Sequence, residues 1–198
     1  MKIEIIKKDK NSLGIDIYCV KYGNEDEKII EKINKYAEMS AGKVYKRSGM
    51  DDFNHKMNIV TGKKAEEAFY FLIKKLKPET KITKTNYEDG VDKYDFYIHD
   101  KFSLDVKSSS LLTRTKKYSL LDAYHNLNFM VLNDQSRKDI IVQVFYEDRL
   151  NTSNFYFLTW VFVEEVIKKN DKKYIKMNGN SGDYFLLKIK YGNPILSI

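Results

Sequence analysis

Hydrophobic and polar residues follow two different periods along the chain. Strict alternation predicts a half-buried strand, apolar positions three or four residues apart predict an amphipathic helix, and a nearly continuous apolar run predicts a strand buried on both faces. Alternating or continuous patterns predict strands over residues 2–6, 13–20, 81–85, 96–98, 102–106, 139–146, 155–159, 174–177 and 184–190. Helical spacing predicts helices from Asn24 to Gly42 and over residues 62–76, 118–127 and 161–169.

These elements predict one α/β domain. Helices and strands are interleaved along 198 residues, which favours a mixed central sheet flanked by helices. A chain of this length also buries a substantial core. Asn24 and Glu27 have the spacing of a capping box, and Pro78 closes the helix that ends at Leu76, for which Asn54 is an alternative start.

The clearest hairpin pattern lies between residues 94 and 110. Apolar residues alternate on both sides of a polar break, His99 to Lys101. If that break is the loop, the apolar side chains share one face, whereas Asp95, Asp105 and Lys107 share the other. Asp95 then lies opposite Asp105. The other expected cross-strand pairs are Ile98 with Phe102 and Phe96 with Leu104.

Two opposed carboxylates are a poor choice for a purely structural hairpin. Like charges directly across a strand pair destabilise it, and at roughly 5 Å with an effective dielectric of about 20 the repulsion is on the order of 3 kcal/mol. A divalent cation between Asp95 and Asp105 would reverse the sign of that energy, and oxygen ligands suit Mg²⁺. A metal polarises a phosphate and acidifies bound water, and Lys107 supplies an ammonium beside it. The pattern therefore indicates metal-dependent phosphodiester hydrolysis.

At these residues the chain resembles the PD-(D/E)XK nuclease superfamily, whose signature is an Asp on one strand and Asp/Glu-x-Lys on the next. Asp95 matches the first position and Asp105-Val106-Lys107 the second, while Tyr94 stands in place of the proline. Many members also place a Glu on the preceding helix in a G-x-x-x-E pattern, which Gly62 to Glu66 match.

The resemblance covers residues 55–170 and implies the restriction-endonuclease-like fold with Mg²⁺ as cofactor and Mn²⁺ as a substitute. It implies that Asp95 and Asp105 bind the metal with help from the Val106 carbonyl. It further implies that Lys107 positions the attacking water and that Glu66 supports the metal or a nearby water.

Several alternatives stay open at this point. Asp89 and Asp92 are rivals of Asp95 for the first metal position, and Glu66 has an alternative role in a helix ion pair with Lys63. The Asp/Glu-x-Lys triplet also occurs over residues 26–28, 79–81 and 171–173. Those three copies lie in polar surroundings, which is typical of solvated surface.

An excess of positive charge favours an anionic partner such as DNA. The formal net charge is +7. Hydroxyls and cations that leave the Asp105 strand, together with an earlier basic stretch, are the groups that bind phosphates. The predicted DNA-binding residues are Ser108, Ser109, Arg114, Lys116, Lys117, Lys43, Lys46 and Arg47. The alternative is that both segments are ordinary polar loops in a lysine-rich chain.

Other sequence features narrow the class of protein. Cys19 is the single cysteine, which excludes an internal disulfide and disfavours a cysteine-rich zinc site. His55 has no Cys or His at ligand spacing, which disfavours metal binding there. We find neither an apolar run of about 18 residues nor a signal-peptide pattern, so a cytoplasmic protein without a membrane span is expected.

The sequence therefore predicts an Mg²⁺-dependent DNA endonuclease of the restriction type, acting as a homodimer because a double-strand break needs two sites. A junction-resolving or repair nuclease and a non-catalytic nucleic-acid-binding module are the alternatives. Residues 1–54 are expected to form an N-terminal elaboration, residues 55–170 the nuclease core and residues 171–198 a C-terminal hairpin.

Overall fold

The computed structural model describes residues 1–41, 51–85, 95–112, 116–132, 138–147, 153–169, 172–177 and 180–198. The strands are β1 Lys2–Ile6, β2 Ile17–Lys21, β3 Ile82–Lys84, β4 Phe96–Ile98, β5 Phe102–Ser110, β6 Asn128–Leu132, β7 Ile140–Tyr146, β8 Asn154–Phe162, β9 Lys172–Met177, β10 Asn180–Lys188 and β11 Asn193–Pro194. The helices are α1 Glu27–Ser40, α2 Asp52–Leu76, α3 Leu120–Asn126 and α4 Val163–Lys168.

A central mixed sheet has the strand order β1-β2-β8-β7-β5-β4-β3, and β11 pairs with β8 beside this path. The pair β5–β7 is parallel, with Asp105 beside Ile141, and the other pairs of this sheet are antiparallel. A parallel pair requires a crossover, and α3 lies in that connection. The predicted class, an α/β fold with a mixed central sheet flanked by helices, is confirmed.

Both faces of the central sheet are covered, which explains the nearly continuous apolar sequence of β7. One face packs against α2, where Phe69 and Leu72 meet Leu104 and Val142 in one cluster. The other face carries Ile141. It packs against α3, α4 and a second sheet of order β6-β10-β9.

Helix α2 is long because it has a strong start and a wide apolar stripe. The carboxylate of Asp51 accepts a hydrogen bond from the backbone N–H of Asn54 at 2.7 Å, which caps the first turn. The helix therefore begins at Asp52, before both predicted starts, and its last residue is Leu76, as predicted. Glu66 on this helix is buried.

The β4–β5 hairpin has the predicted register. Ile98 pairs with Phe102 and Phe96 pairs with Leu104. The turn places His99 and Asp100 at φ values of 52° and 55°, and consecutive left-handed residues of this kind match the twist of a tight hairpin. Period-two alternation therefore identified both the strands and the pairing between them.

Several expectations about where elements begin and end were wrong. Strand β2 begins at Ile17 rather than at residue 13, because the Asn11 side chain holds the preceding loop through the carbonyls of Ile6, Lys7 and Ile15. The expected Asn24–Glu27 capping box is replaced by Asp26, whose carboxylate accepts from the Gly23 N–H at 2.9 Å.

Strand β8 continues to Phe162, where a helix was expected to have begun already, because residues 160–162 pair with β7. Strand β6, at residues 128–132, was not predicted. It forms one edge of the second sheet, of which only the β9–β10 hairpin was expected. In the part of the chain that the structure describes, no helix combines the length and apolar composition that a membrane crossing requires.

Two glycines give a matched test of packing. A Cβ added at Gly192 would lie 2.8 Å from the carbonyl oxygen of Trp160 and 2.9 Å from the Phe129 ring, whereas one at Gly62 meets nothing within 4 Å. We expect Gly192→Ala to lower the free energy of unfolding by about 1–3 kcal/mol. Gly62→Ala, inside α2, should raise it by about 1 kcal/mol through helix propensity. Urea denaturation measures both, and equal effects of the two substitutions would contradict the packing described here.

Candidate active site

Three predicted acidic residues, Glu66, Asp95 and Asp105, are buried in the structure, at 7%, 8% and 4% exposure. Buried carboxylates are rare unless they are paired or bind a cation. They come from three elements: Glu66 from α2, Asp95 from the residue before β4, and Asp105 from the middle of β5. Their surroundings differ, and the differences define what each can do.

Asp95 lies where the β4–β5 ladder ends. Its backbone N–H donates to the Leu104 carbonyl at 3.0 Å, and its Oδ2 accepts from the Val106 N–H at 2.7 Å. The Asp95 side chain thus accepts the hydrogen bond of a β5 backbone N–H, that of Val106, which lies just beyond the paired part of β4. The N–H and C=O of one strand residue point to the same side, so the Val106 carbonyl also faces Asp95.

The electrostatic surroundings of Asp95 are unfavourable for its charged form. Burial raises the pKa of this carboxyl well above its usual range, and the negative charges of Glu66 and Asp105 raise it further. The hydrogen bond from Val106 and the charge of Lys63 act in the opposite direction without cancelling the effect. Asp95 is therefore a buried acid with an excess of negative charge around it.

Asp105 is better compensated. Its Oδ2 forms ion pairs with the ammonium groups of Lys107 and of Lys138, the latter at 2.6 Å. Burial alone would raise the pKa of Asp105, but the two lysines outweigh it and hold the pKa below its usual value. For Lys107, desolvation would lower the pKa and the Asp105 carboxylate raises it, with a net increase. Both groups are therefore charged at neutral pH.

Lys138 was not predicted as a site residue. It lies just before β7, outside the hairpin motif, and reaches Asp105 because β7 pairs in parallel with β5. Nothing local in the sequence indicates that pairing. Gln143 was also missed, although a polar residue inside the apolar run of β7 was a usable signal. It is buried beside Lys107, and its Nε2 donates to the Ser109 hydroxyl at 3.0 Å.

Glu66 forms the ion pair that was the alternative to a role beside the metal. Lys63 Nζ lies 2.7 Å from Glu66 Oε2, so the alternative ion pair is present, but both side chains are largely buried rather than on the surface. The Glu66 charge also acts on Asp95. Because Leu104 and Val106 face α2, Asp105 points to the opposite face of the sheet. The charges of both Glu66 and Asp105 act on Asp95, which precedes β4.

The donor set fits a hard divalent cation. Oδ2 of Asp95 accepts from the Val106 N–H, and Oδ2 of Asp105 pairs with Lys107 and Lys138. Carboxylate oxygens of this kind are the ligands that Mg²⁺ prefers. Within the described ranges no group of three or more His, Cys, Asp or Glu converges as a complete metal site. Mg²⁺ needs less than that, since it keeps several waters and is commonly held by one or two carboxylates plus substrate phosphates.

The structure describes four of the eight predicted DNA-binding residues. Ser108 and Ser109 are half-buried on β5, and Lys116 and Lys117 are exposed beyond it, with Lys116 Nζ 4.6 Å from the centre of the Tyr118 ring. The remaining predicted residues lie outside the described part of the chain. They are Lys43, Lys46, Arg47 and Arg114, and the rivals Asp89 and Asp92 lie outside it as well.

Two further predictions concern Asp26 and His55. Asp26, interpreted as solvated surface, is buried and pairs with the Met1 ammonium at 2.6 Å, so that interpretation was wrong. His55 is buried with its Nε2 3.1 Å from the Ala41 carbonyl oxygen, which agrees with a structural role. No protein-family model, curated protein or solved structure matches the chain.

The raised pKa of Asp95 predicts a gain in stability when its charge is removed. An acid whose folded pKa exceeds its unfolded value opposes folding as pH rises above the unfolded pKa, here 3.8. In chelator at neutral pH, we expect Asp95→Asn to raise the melting temperature by a few degrees, since 1 kcal/mol corresponds to about 2–4 °C in a chain of this size.

The difference in melting temperature between Asp95→Asn and wild type should shrink as the pH falls towards 4. Melting curves recorded across this pH range measure that difference. Asp100→Asn is the matched control, because Asp100 is an exposed partner of Lys81 and its positive φ tolerates asparagine. That variant should change the melting temperature little. A destabilised Asp95→Asn at every pH would contradict the electrostatic picture.

Proposed function

We propose that this chain is an Mg²⁺-dependent endodeoxyribonuclease of the PD-(D/E)XK superfamily with a restriction-endonuclease-like core. One observation carries the proposal: two buried carboxylates, Asp95 directly before β4 and Asp105 within the adjacent β5, lie close together, and Lys107 pairs with the second. These are the residues that carry the resemblance. Glu66, on the preceding helix, adds its negative charge to the surroundings of Asp95.

The electrostatics support a cation site over a structural role. A structural hairpin gains nothing from burying Asp95 among like charges, because the buried acid must either hold a proton or lose stability on ionisation. A divalent cation would remove that cost by taking an oxygen from Asp95 and from Asp105. Function commonly explains such a locally unfavourable arrangement.

In the proposed reaction, Asp95 and Asp105 would hold the cation with the Val106 carbonyl, and Glu66 would accept a hydrogen bond from a nearby water. Mg²⁺, when bound, supplies Lewis-acid polarisation of the phosphate and a more acidic water. Lys107 keeps its proton, because its pKa is raised. It therefore acts as a hydrogen-bond donor that orients the attacking water and offsets charge on the phosphate, not as a general base.

DNA as the substrate is supported by charge. The formal net charge is +7, and β5 leads from the candidate site towards two exposed lysines, Lys116 and Lys117. Sequence-independent phosphate contacts of this kind supply most non-specific affinity for DNA. Ser108 and Ser109, half-buried between the site and those lysines, add hydroxyl donors along the same path.

Among DNA nucleases, we propose restriction-type cleavage by a homodimer. Reading a sequence requires protein beyond the catalytic motif to reach base edges in the major groove. Strands β1 and β2 and the second sheet supply protein beyond the catalytic motif. A junction-resolving or repair nuclease would use the same site, and the DNA form that is cleaved distinguishes such a nuclease from a restriction-type enzyme.

The first test of the function is cleavage by conservative variants. With Mg²⁺ and long linear DNA, the wild-type chain should give discrete bands whose ends share one short sequence. Asp105→Asn and Lys107→Met should lower the cleavage rate at least 10²-fold while the far-UV circular dichroism spectrum stays unchanged. Removal of Mg²⁺ with chelator should abolish cleavage, and Mn²⁺ should restore it.

Matched controls lie in the same hairpin region. Asp100→Asn and Lys81→Met change an exposed ion pair and should leave the rate within about twofold of wild type. Full activity of Asp105→Asn or Lys107→Met would reject the assigned site. Symmetric nicks in a four-way junction with only a smear on duplex DNA would favour the resolvase. Binding without cleavage of any DNA would favour a non-catalytic module.

The second test concerns the path of the DNA. Reversing Lys116 and Lys117 to Glu should weaken binding to all duplexes alike. The slope of log affinity against log salt should fall by about 0.9 for each DNA phosphate that the variant no longer neutralises. Fluorescence anisotropy in Ca²⁺ at several salt concentrations measures this slope.

A control with the same change of net charge is Lys2→Glu with Lys10→Glu. Both residues are exposed, and Lys2 lies on β1, at the opposite edge of the sheet from β3. The control should alter the slope much less. Equal effects of the two double variants would show that the DNA does not follow the end of β5.

A further inference from the structure

Lys138 lies in the candidate site although no part of the motif includes it. Its ammonium is 2.6 Å from Asp105 Oδ2, on the same oxygen that pairs with Lys107. The side chain of Lys138 is 17% exposed, against 42% for Lys107. One buried carboxylate oxygen therefore holds two ammonium groups, which is more than neutralisation of Asp105 requires.

The backbone that carries Lys138 is held firmly. The next residue, Asp139, accepts hydrogen bonds at 2.8 Å from both the N–H and the hydroxyl of Ser103 on β5. Its own N–H donates to that hydroxyl at 3.0 Å, and its carbonyl accepts from the Val163 N–H at 2.9 Å. The backbone directly after Lys138 is thus tied to β5 and α4. The flexible four-carbon stem of Lys138 lets its ammonium turn.

Room for such a movement exists beside Lys138. A cavity of about 420 Å³ borders it, and the wall includes Phe102, Phe162, Glu164 and Glu165. Because three carboxylates lie in that wall, those of Asp139, Glu164 and Glu165, the cavity disfavours a phosphate within it. A DNA strand would therefore pass on the Asp105 side, and the cavity gives the lysine stem space to turn.

The charges indicate when the ammonium would move. Glu66 pairs with Lys63, Asp105 pairs with Lys107 and Lys138, and Asp95 lies near both acids. When all six groups are ionised, their charges sum to zero. A divalent cation adds two positive charges and competes directly with the lysines for Asp105. The scissile phosphodiester restores one negative charge, and a neighbouring phosphodiester restores the second.

We propose that Lys138 is a second ammonium of the active site, which neutralises Asp105 before a divalent cation binds and then contacts a phosphate oxygen of the DNA. This inference rests on the proposed nuclease function. It assigns to a residue outside the PD-(D/E)XK motif both competition with the cation and binding of the substrate.

The experiment compares Lys138→Met and Lys138→Arg with wild type in two measurements. Mn²⁺ binding to the DNA-free chain, followed by electron paramagnetic resonance, should strengthen roughly tenfold in Lys138→Met, because one competing charge has been removed. Cleavage at saturating Mg²⁺ should fall at least tenfold in the same variant. Lys138→Arg should retain cation affinity and recover most of the cleavage rate.

Opposite changes in the two measurements separate this role from a structural one, since a damaged fold would weaken both. Lys168→Met is the matched control: it removes an exposed lysine of α4 that pairs with Glu164, and both readouts should stay at wild-type values. Weaker or unchanged Mn²⁺ binding, or undiminished cleavage, in Lys138→Met would overturn the inference. If the wild-type chain cleaves no DNA, the proposed function fails instead, and the Mn²⁺ measurement still reports on competition at Asp105.

Discussion

The end of the β4–β5 ladder is the constraint on which the candidate site depends. Strand β4 has three residues and β5 has nine, so β5 continues past its neighbour. The Asp95 carboxylate accepts a hydrogen bond from the first backbone donor beyond the ladder, the N–H of Val106. That hydrogen bond brings Asp95 next to Asp105 and away from bulk water. A longer β4 would pair this donor with backbone, and the two acids would lose their common position.

Burial of both acids then sets the electrostatics of everything around them. Asp105 is stabilised as an anion by Lys107 and Lys138, whereas Asp95 has only the weaker opposition of Val106 and Lys63. The imbalance leaves Asp95 as the group that gains most from an added positive charge. Glu66, on helix α2, adds a further negative charge near Asp95 and raises the pKa of that carboxyl. A scaffold that needed only stability would place apolar residues here, because replacing buried charges with packed hydrophobic groups is often neutral or stabilising.

What the sequence predicted well depends on short-range geometry. Alternation relates a residue to its neighbours two positions away, so the pairing of Phe96 with Leu104 could be predicted from the loop alone. The pairing of Asp26 with Met1 and the contact of Lys138 with Asp105 depend on elements far apart in sequence. Strand β6 was missed for a related reason: it directly follows α3, and its partner in the second sheet is the distant β10.

The parallel pairing of β5 with β7 shows why a motif describes only part of such a site. The hairpin supplies Asp95, Asp105 and Lys107 from one continuous stretch, and this is the part a pattern can find. The crossover through α3 places β7 along the other edge of β5. It thereby brings Lys138, just before β7, and Gln143, within β7, beside β5. Of these, only Gln143 leaves a trace in the sequence, as a polar residue in an apolar strand. The position of Lys138 beside Asp105 can be predicted only when the register of the parallel pair is known, because that register decides which lysine contacts the buried carboxylate.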